Sequence, residues 1–311
     1  MEHLSVLKSD VQNFIDLHGD EIFVDATLGL GGHAGDVMKK LTKGGRLIAF
    51  EQDERNLEEA KKRLKAYEKQ ITYIHDNFRH LKTRITGEGI DEVDYIFFDL
   101  GLSSPHVDEA DRGFSFMREG PLDMRFDQRN EKTASDVINT YSKEDLENLI
   151  YEYGEERDSR RIARQIIERR EEKPFETTTE FADFLAEIIH KKRTKKGFGS
   201  HPATRIFQAL RIEVNDEFGA LREALEQAVE ILKVGGRILI ITFHSLEDRL
   251  VKKFFMELEK PPVSGDKALY QSHGDPIFRR LTKKPVIPSD EELSENPRSR
   301  SSKLRVYEKL I

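Results

Sequence analysis

The sequence predicts an α/β fold: a mostly parallel sheet built from two stretches of chain, with an all-helical domain inserted between them. Three observations carry this. Short apolar runs alternate with helical patterns through the first hundred residues. The alternation stops between about residues 104 and 211, where no strand pattern is found. A strong apolar run then returns at residues 237–243 (RILIITF). Strand–helix alternation at this spacing means parallel strands joined by right-handed crossovers.

The elements follow in order. Residues 21–25 (EIFVD) read as a strand, and Gly29-Leu30-Gly31-Gly32 turns the chain into a helix running to Leu41. Lys43-Gly44-Gly45 stops that helix. Residues 46–50 (RLIAF) form a second strand, ending at Glu51. Leu57, Ala60, Leu64 and Tyr67 recur at helical spacing. Residues 71–75 form a third strand. Residues 93–100 (VDYIFFDL) form a fourth, apolar enough to be buried on both faces.

In the insertion, Ser142 and Asp145 stand at capping-box spacing and open a helix over 142–153. Residues 155–170 form a highly charged helix with Ile162, Ile166 and Ile167 as its apolar positions. Thr177 and Glu180 open 181–190, and 202–214 is amphipathic. Residues 218–232 form an apolar-periodic helix closed by Lys233-Val234-Gly235-Gly236. The strand at 237–243, a helix at 246–258 and a last strand at 303–308 complete the pattern, with a surface loop at 261–275. The expected division is a core of residues 1–104 and 213–311 and an inserted domain of residues 105–212.

Composition narrows the class. The chain has 311 residues, 51 Lys and Arg against 58 Asp and Glu, a net charge of −7, and no Cys or Trp. Without Cys there is no disulfide scaffold, no Cys-ligated zinc, no iron–sulfur cluster and no thiol nucleophile. No apolar run nears the roughly 18 residues of a membrane span. Residues 1–10 lack the apolar segment of a signal peptide, so a cytoplasmic location is expected. The mild overall acidity places any nucleic-acid surface in a local patch.

Four segments can carry chemistry. Gly29-Leu30-Gly31-Gly32-His33-Ala34 follows a strand and opens a helix, so backbone can approach a ligand closely. Gly29, Gly31 and Ala34 fit a dinucleotide fingerprint, and the same turn serves other adenosine-bearing cofactors. Glu51 ends the second strand about 20 residues later, where an acid bonds ribose hydroxyls in such folds. Asp53 is the better candidate to cap the next helix. Asp99-Leu100-Gly101-Leu102-Ser103-Ser104-Pro105 lies at the carboxyl end of the fourth strand, where open α/β sheets bind ligands. It resembles the acceptor loop of amino methyltransferases, in which a carboxylate and carbonyls hold a poorly nucleophilic amine.

The fourth segment is basic. Lys191, Lys192, Arg193, Lys195, Lys196, Arg205 and Arg211 stand in a stretch with no acid. Such a stretch neutralises phosphates, or forms a solvated loop. Residues 296–303 (NPRSRSSK) form a second basic segment. Arg112-Gly113-Phe114-Ser115-Phe116 mixes Arg with aromatics, as a nucleotide clamp or as core beside a turn. His244-Ser245-Leu246-Glu247-Asp248-Arg249 makes a poor metal set and suits a cleft lining, or a helix capped by Ser245 and Asp248.

These residues resemble the bacterial 16S rRNA (cytosine-N4) methyltransferase family over nearly the whole chain. The shared motifs are Val24-Asp25-Ala26-Thr27-Leu28-Gly29 with Gly31-Gly32-His33, Asp99-Leu100-Gly101 with Ser103-Ser104-Pro105, Arg112-Gly113-Phe114-Ser115-Phe116, Gly120-Pro121-Leu122-Asp123-Met124-Arg125, Tyr153-Gly154-Glu155-Glu156-Arg157, His201-Pro202-Ala203-Thr204-Arg205, Ser245-Leu246-Glu247-Asp248-Arg249 and Asn296-Pro297-Arg298-Ser299-Arg300-Ser301.

The resemblance implies a class I, Rossmann-like methyltransferase core that uses S-adenosylmethionine without a metal. It implies methylation of a decoding-region cytidine N4 in 16S-type rRNA, naked or within the small ribosomal subunit. Carried over by position, Gly31, Gly32, His33, Glu51, Phe78, Asp99 and His106 contact the cofactor. Asp99, Ser103, Ser104 and Pro105 hold the amine, and Lys191, Lys192, Arg193, Lys195, Lys196 and Arg205 meet RNA. The family usually has Asp in place of Glu51, Gln in place of His106, and Arg and Ser in place of Leu30 and Ala34. Two other readings remain from the residues alone: an NAD-dependent oxidoreductase using the Gly29–Ala34 turn, and a non-enzymatic RNA-binding factor.

Overall fold

The computed structural model describes residues 5–42, 44–190, 201–259 and 275–311. The chain divides into two compact units: Met1–Gly101 with Phe218–Ile311, and Leu102–Glu217.

The first unit carries a seven-stranded sheet in the order β3-β2-β1-β4-β5-β7-β6. Its strands are β1 Ile22–Asp25, β2 Arg46–Phe50, β3 Ile71–Ile74, β4 Val93–Asp99, β5 Leu232–Thr242, β6 Phe278–Arg280 and β7 Lys303–Lys309. Neighbours from β3 through β5 pair in parallel. β7 runs antiparallel between β5 and β6. Winding proceeds from β1 toward β3, then resumes on the other side of β1 with β4. That reversal is a topological switch point, and its carboxyl ends are where such sheets bind ligands. The fold is the Rossmann-like α/β class expected from the alternation.

Period-two alternation divides the strand side chains between two faces. Val24, Ile48, Phe50, Ile96, Phe98 and Ile240 pack with Leu81, Ile85, Leu225 and Phe255. These last come from α4 (Leu81–Gly87), α11 (Glu217–Ile231) and α12 (Ser245–Leu258). Phe23, Leu47, Ala49, Phe97, Leu239 and Ile241 pack with Val11, Val37 and Leu57. Those come from α1 (Lys8–Asn13), α2 (Gly32–Met38) and α3 (Glu54–Arg63). Covering both faces explains the unbroken apolar runs of β2 and β4.

The charged helix expected over 155–170 spans Ser159–Glu172, and the largest boundary difference is at the start of β5. The stretch Lys233-Val234-Gly235-Gly236, expected to close a helix, lies inside β5. Val93 pairs with Leu232 and Tyr95 with Arg237, so the extra β5 residues loop out as a bulge. Gly235 takes φ +81° there, which is why glycine suits it.

The second unit is mostly helical: α5 Ser104–Asp108, α6 Ala134–Thr140, α7 Lys143–Glu152, α8 Ser159–Glu172, α9 Thr178–His190 and α10 Thr204–Asn215. Ser142 Oγ accepts the Asp145 N–H, as the capping spacing predicted. Ile162 and Ile166 are buried in a core shared with Leu146, Ile150, Leu185 and Leu210. α13 (Asp290–Glu295) lies in the first unit. Among the described residues, no helix is long and apolar enough to cross a membrane.

Candidate active site

The turn after β1 is strung across the ends of its two neighbours. Ala26 N–H donates to Phe97 O and Leu28 N–H to Phe50 O, each at 2.9 Å. Gly29 and Gly31 have φ +53° and +75°. At Gly31 a Cβ would also sit 3.0 Å from Leu64 Cδ1, so glycine is required for conformation and for space. Gly31 is the N-cap of α2 and offers no side-chain cap. His33 follows, buried, with its ring 4.8 Å from the Phe97 ring centroid. Its Nε2 is 3.8 Å from Asp99 Oδ2.

Glu51 braces this turn. Its Oε2 accepts the Gly29 N–H and its Oε1 the Asp53 N–H, both at 2.8 Å. Asp53 in turn caps α3 by accepting the Arg55 N–H at 2.8 Å. Burial pushes the Glu51 carboxyl up to about 8, with the Asp53 charge adding to the rise and the amides opposing it.

Asp99 ends β4 at the switch point. Its backbone N–H donates to Thr27 Oγ1 at 2.6 Å. Its side chain keeps 22% exposure, while Oδ1 is shut from solvent with no hydrogen-bond partner among the described residues. Burial, joined by the charges of Asp25 and Glu247 and opposed by the Gly101 amide, raises the Asp99 carboxyl to about 7. Asp25, 1% exposed, is likewise raised to about 7 by burial. Asp25 and Asp99 have no Lys or Arg partner among the described residues, so they make this a region of negative potential when ionised.

Phe78 stands in the loop after β3, edge-on to Phe98 at 5.7 Å. Asn77 ties that loop to the end of β2 by donating to Gln52 Oε1 at 2.8 Å. Phe78 is therefore a partly buried ring on a loop tied to Gln52, the residue that follows Glu51.

In the helical unit, Ser103 is the N-cap of α5 and Pro105 stands in its first turn. His106 is buried at 4% exposure, with its ring 5.0 Å from those of Phe114 and Phe126. Its Nδ1 lies 2.9 Å from Ser103 Oγ and accepts the Ser103 N–H at 3.2 Å. The imidazole thus completes a capping box and packs in an aromatic cluster.

Two motifs have structural work that the sequence left open. Arg112 is 1% exposed and donates from Nη2 to the carbonyls of Arg125 and Phe126 at 2.9 and 3.2 Å. It is a core residue closing a loop, not an exposed clamp. α12 is capped by His244 and Glu247, not by Ser245 and Asp248. Glu247 Oε2 accepts the N–H groups of Phe243 and His244 at 2.7 and 3.2 Å. Asp248 instead pairs with Arg305 of β7 at 2.7 Å.

Arg205 is exposed in the first turn of α10, and its Nη1 reaches Glu155 O at 3.5 Å. Lys191, Lys192, Arg193, Lys195 and Lys196 lie outside the described residues, as does most of the loop expected at 261–275. Sequence reasoning did not single out Thr27 or Asp25 as site residues, although both stand in the Val24–Gly29 motif.

The whole chain is similar to known proteins. The model of the MraW methylase family matches residues 1–310. A protein of Streptococcus mutans named ribosomal RNA small subunit methyltransferase H is 47% identical over 310 residues, covering 99% of this chain and 98% of that protein. A Streptococcus pyogenes protein of the same name is 46% identical with the same coverage. Among solved structures, an rRNA methylase from Streptococcus thermophilus aligns with a TM-score of 0.42 at 14% identity, covering 94% of this chain and 89% of that one.

Proposed function

The chain belongs to the MraW methylase family, and on that premise we propose that it methylates small-subunit ribosomal RNA, moving a methyl group from S-adenosylmethionine to the N4 amine of a decoding-region cytidine. The observation that carries this reading is Asp99: a carboxyl at the switch point, raised to about 7, with a buried oxygen lacking any partner among the described residues.

The electrostatics favour one cofactor over another. S-adenosylmethionine brings a sulfonium and an ammonium, and positive charge relieves the crowding of Asp99 by Asp25 and Glu247 and of Glu51 by Asp53. The pyrophosphate of NAD would add negative charge to the same acids. The oxidoreductase reading is therefore disfavoured. The Gly29–Gly31 backbone and His33 would line the methionyl part, and Phe78 the adenine. Each Glu51 oxygen accepts one amide and keeps a second lone pair for a ribose hydroxyl. The bound cofactor supplies a methyl carbon already activated for in-line displacement.

The residues of the chain then supply position. Asp99, held by the Thr27 hydroxyl, accepts an N–H of the target amine and aims its conjugated lone pair. A carboxyl near 7 also takes up the proton that the methylated amine must lose. Pro105 fixes its own φ in the first turn of α5, and the Ser103 and Ser104 carbonyls are the proposed further acceptors. The helical unit, with Arg205 and the run Lys191, Lys192, Arg193, Lys195 and Lys196, is the proposed RNA-binding unit.

The test is transfer of labelled methyl from S-adenosylmethionine to small-subunit rRNA, offered as naked RNA and as assembled subunit. Label in N4-methylcytidine is expected. Label in any other nucleoside, or none in either substrate, overturns the proposal.

A further inference from the structure

A cavity of about 310 Å³ opens in the first unit beyond the carboxyl end of β5. Phe243, Ile287 and Pro288 form its apolar wall, and Arg300, Ser302 and Lys303 its polar one. Phe243 connects it to the candidate active site. The Phe243 ring covers Gly101, where an added Cβ would fall 2.7 Å from Cε2, and Gly101 is two residues beyond Asp99.

Three features point to a ligand. Ser302 is 1% exposed and its Oγ has no hydrogen-bond partner among the described residues. Buried hydroxyls are almost always satisfied, so an orphan lining a cavity marks a place where a partner belongs. Arg300 is exposed, and none of the described residues pairs with it. Lys303 stands 3.4 Å from an Asp248 carboxylate that Arg305 already holds at 2.7 Å, so positive charge remains on this rim. Opposite it, Ile287 is 63% exposed. Ser299, fully buried, bonds Asn296 O at 2.8 Å and fixes the turn that presents Arg300.

A basic rim, an unpaired hydroxyl and an open apolar wall match a phosphodiester joined to a base or ribose. The volume sits at the low end of the roughly 300–1,000 Å³ of small-molecule sites, so it takes one nucleotide-sized group. Single-stranded RNA is recognised by such splayed-out nucleotides, with bases lying on apolar side chains and phosphates on cations. We propose that this cavity is the subsite for an RNA nucleotide flanking the methylated one. Its base or ribose lies against Phe243 and Ile287, and its phosphate against Arg300, Lys303 and Ser302. This rests on the rRNA methyltransferase reading above.

The test compares wild type with Arg300→Ala and Ile287→Ala, both surface changes. The substrate is the small-subunit RNA that the wild type methylates. Both variants are expected to raise KM for RNA by about tenfold with little change in kcat or cofactor affinity. Arg300→Ala is also expected to flatten the salt dependence of RNA binding by about one unit of slope, whereas Ile287→Ala leaves that slope unchanged. Wild-type KM and slope in both variants would overturn the subsite while leaving the methyltransferase reading intact. If the wild type itself modifies no RNA, the parent reading fails and the subsite falls with it.

Discussion

The Thr27 hydroxyl accepts the backbone N–H of Asp99 at 2.6 Å, linking the turn after β1 to the end of β4 across the switch point. Added to the β1–β4 pairing, this bond across 72 residues fixes the backbone of the acid proposed to hold the target amine. Thr27→Val keeps the shape and removes the acceptor. It should cost about 1 kcal/mol of stability, since the part-buried Asp99 amide is left unpaired. It should also lower single-turnover methyl transfer by about tenfold or more through misplacement of Asp99, with cofactor affinity by calorimetry unchanged. A wild-type rate in this variant would remove Thr27 from any positioning role.

Glu51 supports the glycine turn as well as facing the proposed ribose site. Its two oxygens hold the amides of Gly29 and Asp53. Glu51→Ala should therefore lose about 1–3 kcal/mol of fold stability in addition to cofactor affinity. Glu51→Gln retains one acceptor and should fall between. Thermal unfolding and cofactor titration check this, and loss of affinity without loss of stability would contradict the bracing role.

The raised acids give a pH signature. Asp99 lies at about 7 in the folded chain against 3.8 for the ordinary side chain. The native state thus holds a proton that the unfolded chain has released. That stabilisation is complete below about 3.8 and is lost as pH rises through about 7. The cofactor-free wild type should accordingly lose more thermal stability between pH 6 and pH 8 than Asp99→Asn does. Because a cationic cofactor favours the ionised acids, its binding near pH 6.5 should release protons and tighten as pH rises. Calorimetry in buffers of different ionisation enthalpy measures that release, and its absence would contradict the proposed charge complementarity.

Arg112 offers a control outside the first unit. Arg112→Ala empties a fully buried volume and strands the carbonyls of Arg125 and Phe126. About 3 kcal/mol or more of destabilisation is expected, seen as earlier denaturant unfolding. A neutral result would show that the loop closes without it.

Much of the sheet was legible because its strands are buried on both faces, so β1, β2, β4 and the body of β5 read as unbroken apolar runs. β6, three residues with two arginines, carries too little pattern, and α1 buries only Val11. The β5 bulge was hidden because a Gly-Gly pair stops a helix and relaxes a strand equally well. Asp99 and Glu51 were legible through position: each ends a strand beyond which such folds bind ligands. Their partners were not. Gly29 and Glu51 are 22 residues apart and Asp248 and Arg305 57 apart, so only the folded topology joins them. Arg112 was ambiguous because arginine among aromatics reads alike in a clamp and in a core.

The central claim is that Asp99 holds a cytidine amine for methylation. Its most direct test is nucleoside mass spectrometry of small-subunit rRNA from cells lacking this protein, complemented with wild type or with Asp99→Asn. N4-methylcytidine is expected to return with wild type and to remain absent with the folded, cofactor-binding variant. Full restoration by Asp99→Asn, or no change in N4-methylcytidine when the protein is removed, would contradict the account.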